Sequence, residues 1–360
     1  MKKYLITAFL IALTLLLTAQ EGCRFKRGST DVKDVDIHTG YQGIVINFLQ
    51  DAPPLKMYED TNFKIALELR NKGTCDVGPS SKDDCRGYVQ IEGFDPSVFN
   101  GFGGMGSFFV SPRTGIFAQE IPDIPGKSVY NAEGGYDIIS FPSPDSSAYA
   151  ILPEEVDSYK PTILATACYR YVTEATPIVC VDPDPYGIQI EDKVCTLRDV
   201  VLTGGQGAPV AVTKVEESVI TTRGGGPQYI QFKIFVENKG NTLGGKKTSS
   251  EGVGAVGRGI VMDPDAVLEE RGGSYGCGKP DYLTVDTVRI SGELSGVPFN
   301  DCRPDNYEIK LDKNGRGFII CTAWIPSEGS PYTAPLHIRL DYGYINTVSR
   351  TTEIVQTPGE

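Results

Sequence analysis

Catalysis by a serine or cysteine nucleophile requires a base, usually a histidine, that a third group holds in place. The chain has two histidines, His38 and His337. His38 lies in a polar segment without periodicity, and His337 lies in a predicted strand on the face opposite Ile338 and Leu340. Neither residue is placed like a buried, oriented base. We therefore expect a protein that is not an enzyme.

Carboxylates are the other candidate catalytic groups, because a glycosidase needs only two of them at a suitable separation. The chain has 46 Asp and Glu residues. An exported hydrolase that acts on envelope glycans through a carboxylate pair is therefore the alternative function.

Two stretches concentrate acidic residues and raise the question of a calcium site. Neither has the spacing or the central glycine of an EF-hand loop. Solvated acidic turns are the favoured interpretation, and no metal is expected. The acidic residues are Asp182, Asp184, Glu191 and Asp192 in the first stretch, and Asp263, Asp265, Glu269 and Glu270 in the second.

Two other stretches match the Gly-x-Gly-x-x-Gly pattern of dinucleotide-binding loops. Such a loop needs a strand before it and a helix after it, because the pyrophosphate sits at the helix N-terminus. No helical pattern follows either stretch, so we interpret both as ordinary loops and expect no cofactor. The glycines are Gly101, Gly103 and Gly106, and Gly252, Gly254 and Gly257.

The first glycine-rich loop, between Phe94 and Phe117, is also rich in aromatic residues. Its rings could fold over the edge of their own sandwich. Alternatively, they could form an apolar contact surface for another subunit or partner. The partner-contact candidates are Phe99, Phe102, Phe108 and Phe109.

Nine cysteines are typical of an oxidising compartment. Local spacing predicts disulfides between Cys75 and Cys85 and between Cys302 and Cys321. Cys168, Cys180 and Cys195 compete for one local bridge, with Cys168 to Cys180 favoured across a hairpin. Cys195 and Cys277 are then left without an assigned partner, and the ninth cysteine is Cys23.

The N-terminus has the pattern of an export segment. Lys2 and Lys3 precede an apolar run from Tyr4 to Ala19, which favours a signal peptide over residues 1–22, with a retained membrane anchor as the alternative. Cys23 is a candidate for lipidation, and a disulfide or a free thiol is the other interpretation. Residues 23–40 are polar and are expected to form a tether.

The chain carries a net charge of −12. It has no basic cluster with interleaved aromatic residues, so nucleic acid is not an expected partner.

Two phrases nearly repeat, FKIALELRNKGT at residues 63–74 and FKIFVENKGNT at residues 232–242. Each is followed by an Arg-Gly pair, an Asp-Pro pair and a pair of tyrosines at similar offsets, so a repeat of roughly 170 residues is predicted. Phe63 should then correspond to Phe232, and Tyr169 to Tyr342. The predicted domains are residues 41–203 and 208–360, with a linker at 204–207, and we call them the first half and the second half.

Apolar residues alternate with polar ones in both halves, and Gly, Pro, Asn and Asp separate the runs. Such a pattern is typical of antiparallel strands with one solvated face. The predicted fold is all-β, with two tandem immunoglobulin-like antiparallel sandwiches that carry long loop insertions after the N-terminal segment.

A strand that ends in Asn-x-Gly, as at Asn71 and Asn238, resembles the CARDB-type immunoglobulin-like modules of archaeal and bacterial surface proteins. The resemblance covers about a dozen residues of each half. It implies a structural, adhesion or assembly role in a protein tethered to the outer face of the cell membrane. The implied partners are other surface or envelope proteins, including copies of the same chain, and the membrane itself through the N-terminal segment.

Overall fold

The computed structural model describes residues 36–102, 108–111, 116–142, 146–184, 193–220, 228–240, 253–255, 258–271, 274–325 and 329–357. Every regular secondary-structure element in these residues is a β-strand, so the fold class is all-β as predicted. The expected signal or anchor, the lipidation candidate and most of the tether lie outside the described residues. So do Gly103, Gly106, Glu191, Asp192, Gly252, Gly257 and the side chains of Phe108 and Phe109.

The strands of the first half are short except for one strand of 14 residues. They are β1 (Ile44–Phe48), β2 (Lys56–Tyr58), β3 (Ile65–Asn71), β4 (Gly87–Glu92), β5 (Phe99–Asn100), β6 (Phe108–Ser111), β7 (Ile116–Glu120), β8 (Tyr136–Phe141), β9 (Tyr149–Ala150), β10 (Ser158–Tyr159), β11 (Thr162–Ala175), β12 (Ile178–Val181) and β13 (Val200–Val201).

The second half ends in a strand of 20 residues that is followed by one more short strand. Its strands are β14 (Val210–Ile220), β15 (Gln228–Asn238), β16 (Val253–Ala255), β17 (Ile260–Met262), β18 (Leu268–Arg271), β19 (Ser274–Cys277), β20 (Thr287–Leu294), β21 (Val297–Pro298), β22 (Asp301–Arg303), β23 (Glu308–Lys310), β24 (Arg316–Ile325), β25 (Tyr332–Thr351) and β26 (Glu353–Val355).

The largest sheet draws strands from both halves in the order β21-β20-β25-β11-β4-β7-β6, with β23 beside β20 and with β12, β16 and β17 beside β25. Two further sheets, β1-β3-β8 in the first half and β13-β14-β15-β24-β22, share one continuous hydrophobic core with it. Strands β10, β26 and β2 form a small sheet, and β18-β19 and β5-β9 form two-stranded ladders.

Strands β11 and β25 join the halves. They pair antiparallel over all of β11, from Thr162 opposite Thr351 to Ala175 opposite Ile338. At the centre of this ladder Tyr169 lies opposite Tyr344 and Tyr171 opposite Tyr342. Since alternate residues of a strand point to opposite faces, all four tyrosines share the inner face, and all four are buried.

The tyrosines make corresponding contacts with the two smaller sheets. The backbone N–H of Ile44, at the start of β1, donates to the hydroxyl of Tyr169 (3.1 Å). The backbone N–H of Val210, at the start of β14, donates to the hydroxyl of Tyr342 (3.3 Å). The hydrogen bonds thus place Tyr169 and Tyr342 at corresponding positions, as the repeat predicts.

The Asn-Lys-Gly turns also correspond. The side-chain oxygen of Asn71 accepts the N–H of Gly73 (3.1 Å), and that of Asn238 accepts the N–H of Gly240 (3.2 Å). The asparagine amides donate to backbone carbonyls, so each side chain closes its own turn and also ties that turn to a second segment. Both asparagines are buried, and their side chains satisfy backbone groups that would otherwise lack hydrogen-bond partners. This explains why an asparagine recurs at both positions.

Two landmarks of the repeat do not correspond as predicted. Counted back from the asparagines, the counterpart of Phe232 is Ile65, and Phe63 lies two residues earlier, although all three side chains are buried. The Arg-Gly pairs also differ in register. Gly87, the glycine of the first pair, lies opposite Tyr169. In the second half the residue opposite Tyr344 is Val261, two positions beyond the glycine of the second pair, Gly259.

Four disulfides crosslink the structure. Cys75–Cys85 and Cys302–Cys321 form as predicted. The favoured Cys168–Cys180 pairing was wrong, because Cys168 is bonded to Cys277 and Cys180 to Cys195. Cys168 lies on the outer face of β11, and the β18-β19 hairpin brings Cys277 onto that face from 109 residues further along the chain. This disulfide links the two halves.

Candidate functional site

The histidines are placed as the sequence suggested. His38 is exposed, and its backbone N–H is bonded to the Asp36 carboxylate (3.0 Å). His337 lies on β25 opposite Glu293 of β20. The structure does not bring either of them into the clusters described below.

Two of the four aromatic candidates, Phe99 and Phe102, lie in the hydrophobic core. Phe99 and Phe102 are 3% and 2% exposed, and their rings pack with those of Phe63, Phe94 and Phe117. Their apolar area is thus covered by the protein's own core, which is the first of the two interpretations of this loop. A partner could reach these two rings only if the loop opened.

The first acidic stretch forms an internal ion pair. Asp182 is 3% exposed, and Lys193 donates to its carboxylate (2.6 Å). The second carboxylate oxygen of Asp182 accepts the N–H of Asp184 (3.0 Å). Within the part of the chain that the structure describes, no group of three or more His, Cys, Asp or Glu residues is arranged to hold a metal ion.

The second acidic stretch contributes to a cleft on the outer face of the largest sheet, which we call the arginine cleft. Its floor is formed by Arg170 of β11, Arg289 of β20 and Arg339 of β25, and its volume is about 320 Å³. These arginines share one face because Arg289 lies opposite Asp341, two residues from Arg339 on β25. That face is opposite the buried tyrosines.

Arg170 is held by acids from both halves. Its Nε donates to the carbonyl of Pro264 (2.8 Å), and one Nη donates to the Asp265 carboxylate (2.7 Å). The other Nη donates to Asp84, which lies in the loop closed by the Cys75–Cys85 disulfide.

The other two arginines are held in the same manner. Arg289 donates to Asp263 (2.8 Å) and to Asp265 (2.5 Å). Arg339 donates to Asp83 of the disulfide-closed loop (2.9 Å) and forms an ion pair with Asp341 (3.1 Å). Loops from both halves thus meet over the β11-β25 ladder.

One carboxylate of the arginine cleft, Asp265, is held in its ionised form. The hydrogen bond from Arg289 holds the pKa of Asp265 below its ordinary value, so this carboxylate is ionised at neutral pH. A general acid needs a proton to give near the working pH. Asp265 is therefore not placed to act as a general acid, and its ion pairs with Arg170 and Arg289 join its loop to strands β11 and β20.

Glu217 is a half-buried carboxylate beside a second cavity, and its pKa lies near neutral. It lines a cavity of about 490 Å³ with Ile178, Val194 and the Cys180–Cys195 disulfide. One carboxylate oxygen accepts the N–H of Cys180 (3.2 Å), and the other is buried without a hydrogen-bond partner. Burial raises the pKa of Glu217 to about 7, although the backbone N–H of Cys180 opposes the shift.

Sequence reasoning found Asp263 and Asp265 but missed the arginines and Glu217. The sequence did contain a pattern that indicates one of the arginines. Arg339 and Asp341 are two residues apart in a predicted strand, so their side chains lie on the same face and can pair. Glu217 had none, since its raised pKa comes from burial by strands that are distant in sequence.

Neither a protein-family model nor a curated protein matches this chain. Among the residues that the structure describes, there is no helix long and apolar enough to cross a membrane.

Proposed function

We propose that the chain is an exported protein, tethered to the outer face of the cell membrane, with a structural, adhesion or assembly role. One observation carries the proposal: the β11-β25 ladder and the Cys168–Cys277 disulfide bind the two halves together. Such a body keeps its shape under load and presents its surfaces at fixed positions. We further propose that each half is an immunoglobulin-like sandwich of CARDB type that arose by duplication.

The disulfides support an extracellular location. Four disulfides persist in oxidising compartments and are rare where thiols are kept reduced. The proposed tether runs from Cys23 to residue 40, and the proposed anchor is either a lipid on Cys23 or a retained apolar segment before it.

The test is fractionation of cells that express the full chain, followed by protease treatment of intact cells and chemical crosslinking. We expect the chain in the membrane fraction, degraded by external protease, and crosslinked to envelope proteins or to itself. A Cys23→Ala variant separates the two anchors, because it releases the chain only if the anchor is a lipid. A chain found in the cytosol with free thiols would contradict the proposal.

The alternative, an exported hydrolase, is favoured by Glu217, whose raised pKa would let it give a proton near neutral pH. A glycosidase also needs a second carboxylate across the cleft. Asp199 is near enough for its charge to act on Glu217, but it is paired with Lys214 (2.6 Å). Release of sugars from envelope glycans that is lost in Glu217→Gln and retained in Asp263→Asn would establish this function in place of the first.

A further inference from the structure

The sheet β13-β14-β15-β24-β22 presents exposed aromatic and aliphatic side chains to solvent, among paired charges. Side chains alternate along β15, so Phe232 and Ile234 point into the core while the residues between them point outward. The outward residues Phe318, Trp324 and Ile220 are 51%, 50% and 40% exposed. We call this surface the aromatic face, and its apolar members are Val201, Ile220, Tyr229, Phe235, Phe318, Ile320 and Trp324.

The aromatic residues form two groups on this face. Phe235 and Phe318 lie opposite each other with ring centroids 5.9 Å apart, and Lys233 lies over both rings, at 4.9 and 4.6 Å. Six residues along β24, Trp324 lies opposite Tyr229. At about 3.4 Å per residue the two groups are about 20 Å apart. They can therefore anchor the two ends of one contact.

The charges of the aromatic face are paired within the face. Lys214 contacts Asp199 (2.6 Å) and Glu216 (2.7 Å), and Arg316 contacts Glu237 (3.1 Å). The chain as a whole carries a net charge of −12, so two copies repel each other over most of their surface. A face whose charges are compensated is where a second copy can approach.

The area is sufficient for a modest interface. Strands β14 and β15 have 11 residues each and β24 has 10, and β13 and β22 are short. With about 3.4 Å per residue and about 4.8 Å between strands, the face covers about 600 Å². Two copies would bury about 1,200 Å², the lower end of the range for specific interfaces.

We propose that two copies of this chain dock through the aromatic face, sheet against sheet, around a two-fold axis. In a two-fold interface the same patch serves both partners, so Phe318 and Trp324 of each copy would meet the aromatic groups of the other. The inference rests on the proposed assembly role and names the partner, a second copy. It needs no catalytic group.

Trp324 makes the test direct, because it is the only tryptophan in the chain. Sedimentation velocity and tryptophan emission are measured together on the exported full chain, over a dilution series from about 100 to about 0.1 μM, which spans typical dissociation constants. We expect a dimer with blue-shifted emission at high concentration and a red shift as the dimer dissociates.

Variants separate the face from other routes to association. Ile220→Glu puts like charges into the contact and should weaken dimerisation at least tenfold, with Trp324 emission red-shifted at every concentration. Phe318→Ser should do the same by removing an anchor. Tyr282→Ser is the control, because Tyr282 is 90% exposed outside the aromatic face, and it should dimerise like the parent. The melting temperature of each variant shows whether the fold is intact.

A parent that stays monomeric at every concentration would overturn the proposal. So would a dimer that forms equally well in folded Ile220→Glu and Phe318→Ser. An emission shift produced only by added soluble glycan would assign the face to glycan instead. None of these results bears on membrane retention or crosslinking to other envelope proteins, so failure here is distinct from failure of the proposed function.

Discussion

The sheets β1-β3-β8 and β13-β14-β15-β24-β22 have corresponding residues on their buried sides and different residues on their solvent-facing sides. On the inner side, β3 and β15 end in the same asparagine turn, and the two turns lie over Tyr171 and Tyr344. On the outer side, Glu68 lies opposite Ile138 in the first half, and Phe235 lies opposite Phe318 at the corresponding place in the second. The second sheet also has two extra strands, β13 and β22, at its edges.

The two sides of each sheet are constrained to different degrees. A buried polar side chain that lost its partner would cost free energy, so the asparagines and tyrosines stay as a set. Outward positions face solvent and are not held by these buried hydrogen bonds, and in the second half Phe235, Phe318 and Trp324 lie there. The inner side accounts for the fold, and the outer side is the place to look for a partner.

The largest effect is expected from the disulfide that links the halves. Changing Cys168 and Cys277 to Ala opens a crosslink across 109 residues and should lower the free energy of unfolding by about 4–5 kcal/mol on the chain-entropy account. Changing Cys75 and Cys85 to Ala opens a loop of 10 residues within one half and should cost about 3 kcal/mol. Urea unfolding measures both, and equal losses would mean that the link between halves has no special weight.

The next largest loss of stability is expected from a matched pair of glycine substitutions, one in each asparagine turn. A Cβ on Gly73 would lie 1.8 Å from the Tyr171 hydroxyl, and a Cβ on Gly240 would lie 2.2 Å from that of Tyr344. The backbone carbonyl of Gly207 and the ring of Pro209 crowd these positions further. Gly73→Ala and Gly240→Ala should each cost about 3 kcal/mol by overpacking. A large loss at one turn and none at the other would break the correspondence between the halves.

A feature of this fold could be predicted from the sequence when the residues that determine it are close together along the chain. The alternation in β3 and β15 and the repeated Asn-Lys-Gly are local patterns, so strands and turns followed from the sequence. Cys75–Cys85 is also local. The Cys168–Cys277 partner is set by strand pairing over more than 100 residues, which spacing along the chain does not encode.

Removing single tyrosine hydroxyls should have a smaller effect. Tyr169→Phe leaves the N–H of Ile44 without its hydroxyl acceptor. Tyr342→Phe does the same to the N–H of Val210 and also removes the hydrogen bond to Thr173, whose hydroxyl still donates to the carbonyl of Val210 (2.7 Å). We expect losses of about 1–2 kcal/mol, with Tyr342→Phe the greater. Thermal unfolding of both variants measures the difference, and a greater loss in Tyr169→Phe would contradict this account of the hydroxyls.

The smallest effect concerns the pH dependence of stability, through Glu217 on β14 of the second half. The ordinary pKa of Glu217 is 4.5, and burial raises it to about 7, so the folded chain holds this proton more tightly than the unfolded chain. Stability should therefore fall as pH rises from about 4.5 through about 7. Allowing for solvent screening at a half-buried carboxyl, we expect a loss of the order of 1 kcal/mol.

Glu217→Gln tests this dependence, because the glutamine stays neutral and can still accept the N–H of Cys180. Its melting temperature should match the parent near pH 5 and exceed it near pH 8. Glu216→Gln, at the next position of β14, is the control and should follow the parent. A parent curve that is flat over this range would contradict the raised pKa.

The candidate sites show the same limit of sequence reasoning. Asp263 and Asp265 stood out because they lie two residues apart in one acidic stretch, whereas the arginines that pair with them, Arg170 and Arg289, come from two different strands. The pKa of Glu217 depends on a cavity wall formed by Ile178 and the Cys180–Cys195 disulfide. Packing creates such a site, and no residue pattern marks it in advance.

If the two halves unfold as one cooperative body, hydrogen exchange in the Gly240→Ala variant should reveal it. The substitution lies in the second half, so the slowest amides of β15 should lose protection. If β11, β25 and the Cys168–Cys277 disulfide couple the halves, the slowest amides of β3 in the first half should lose protection by the same factor. Protection in β3 that stays at the parent level while β15 opens would contradict the account.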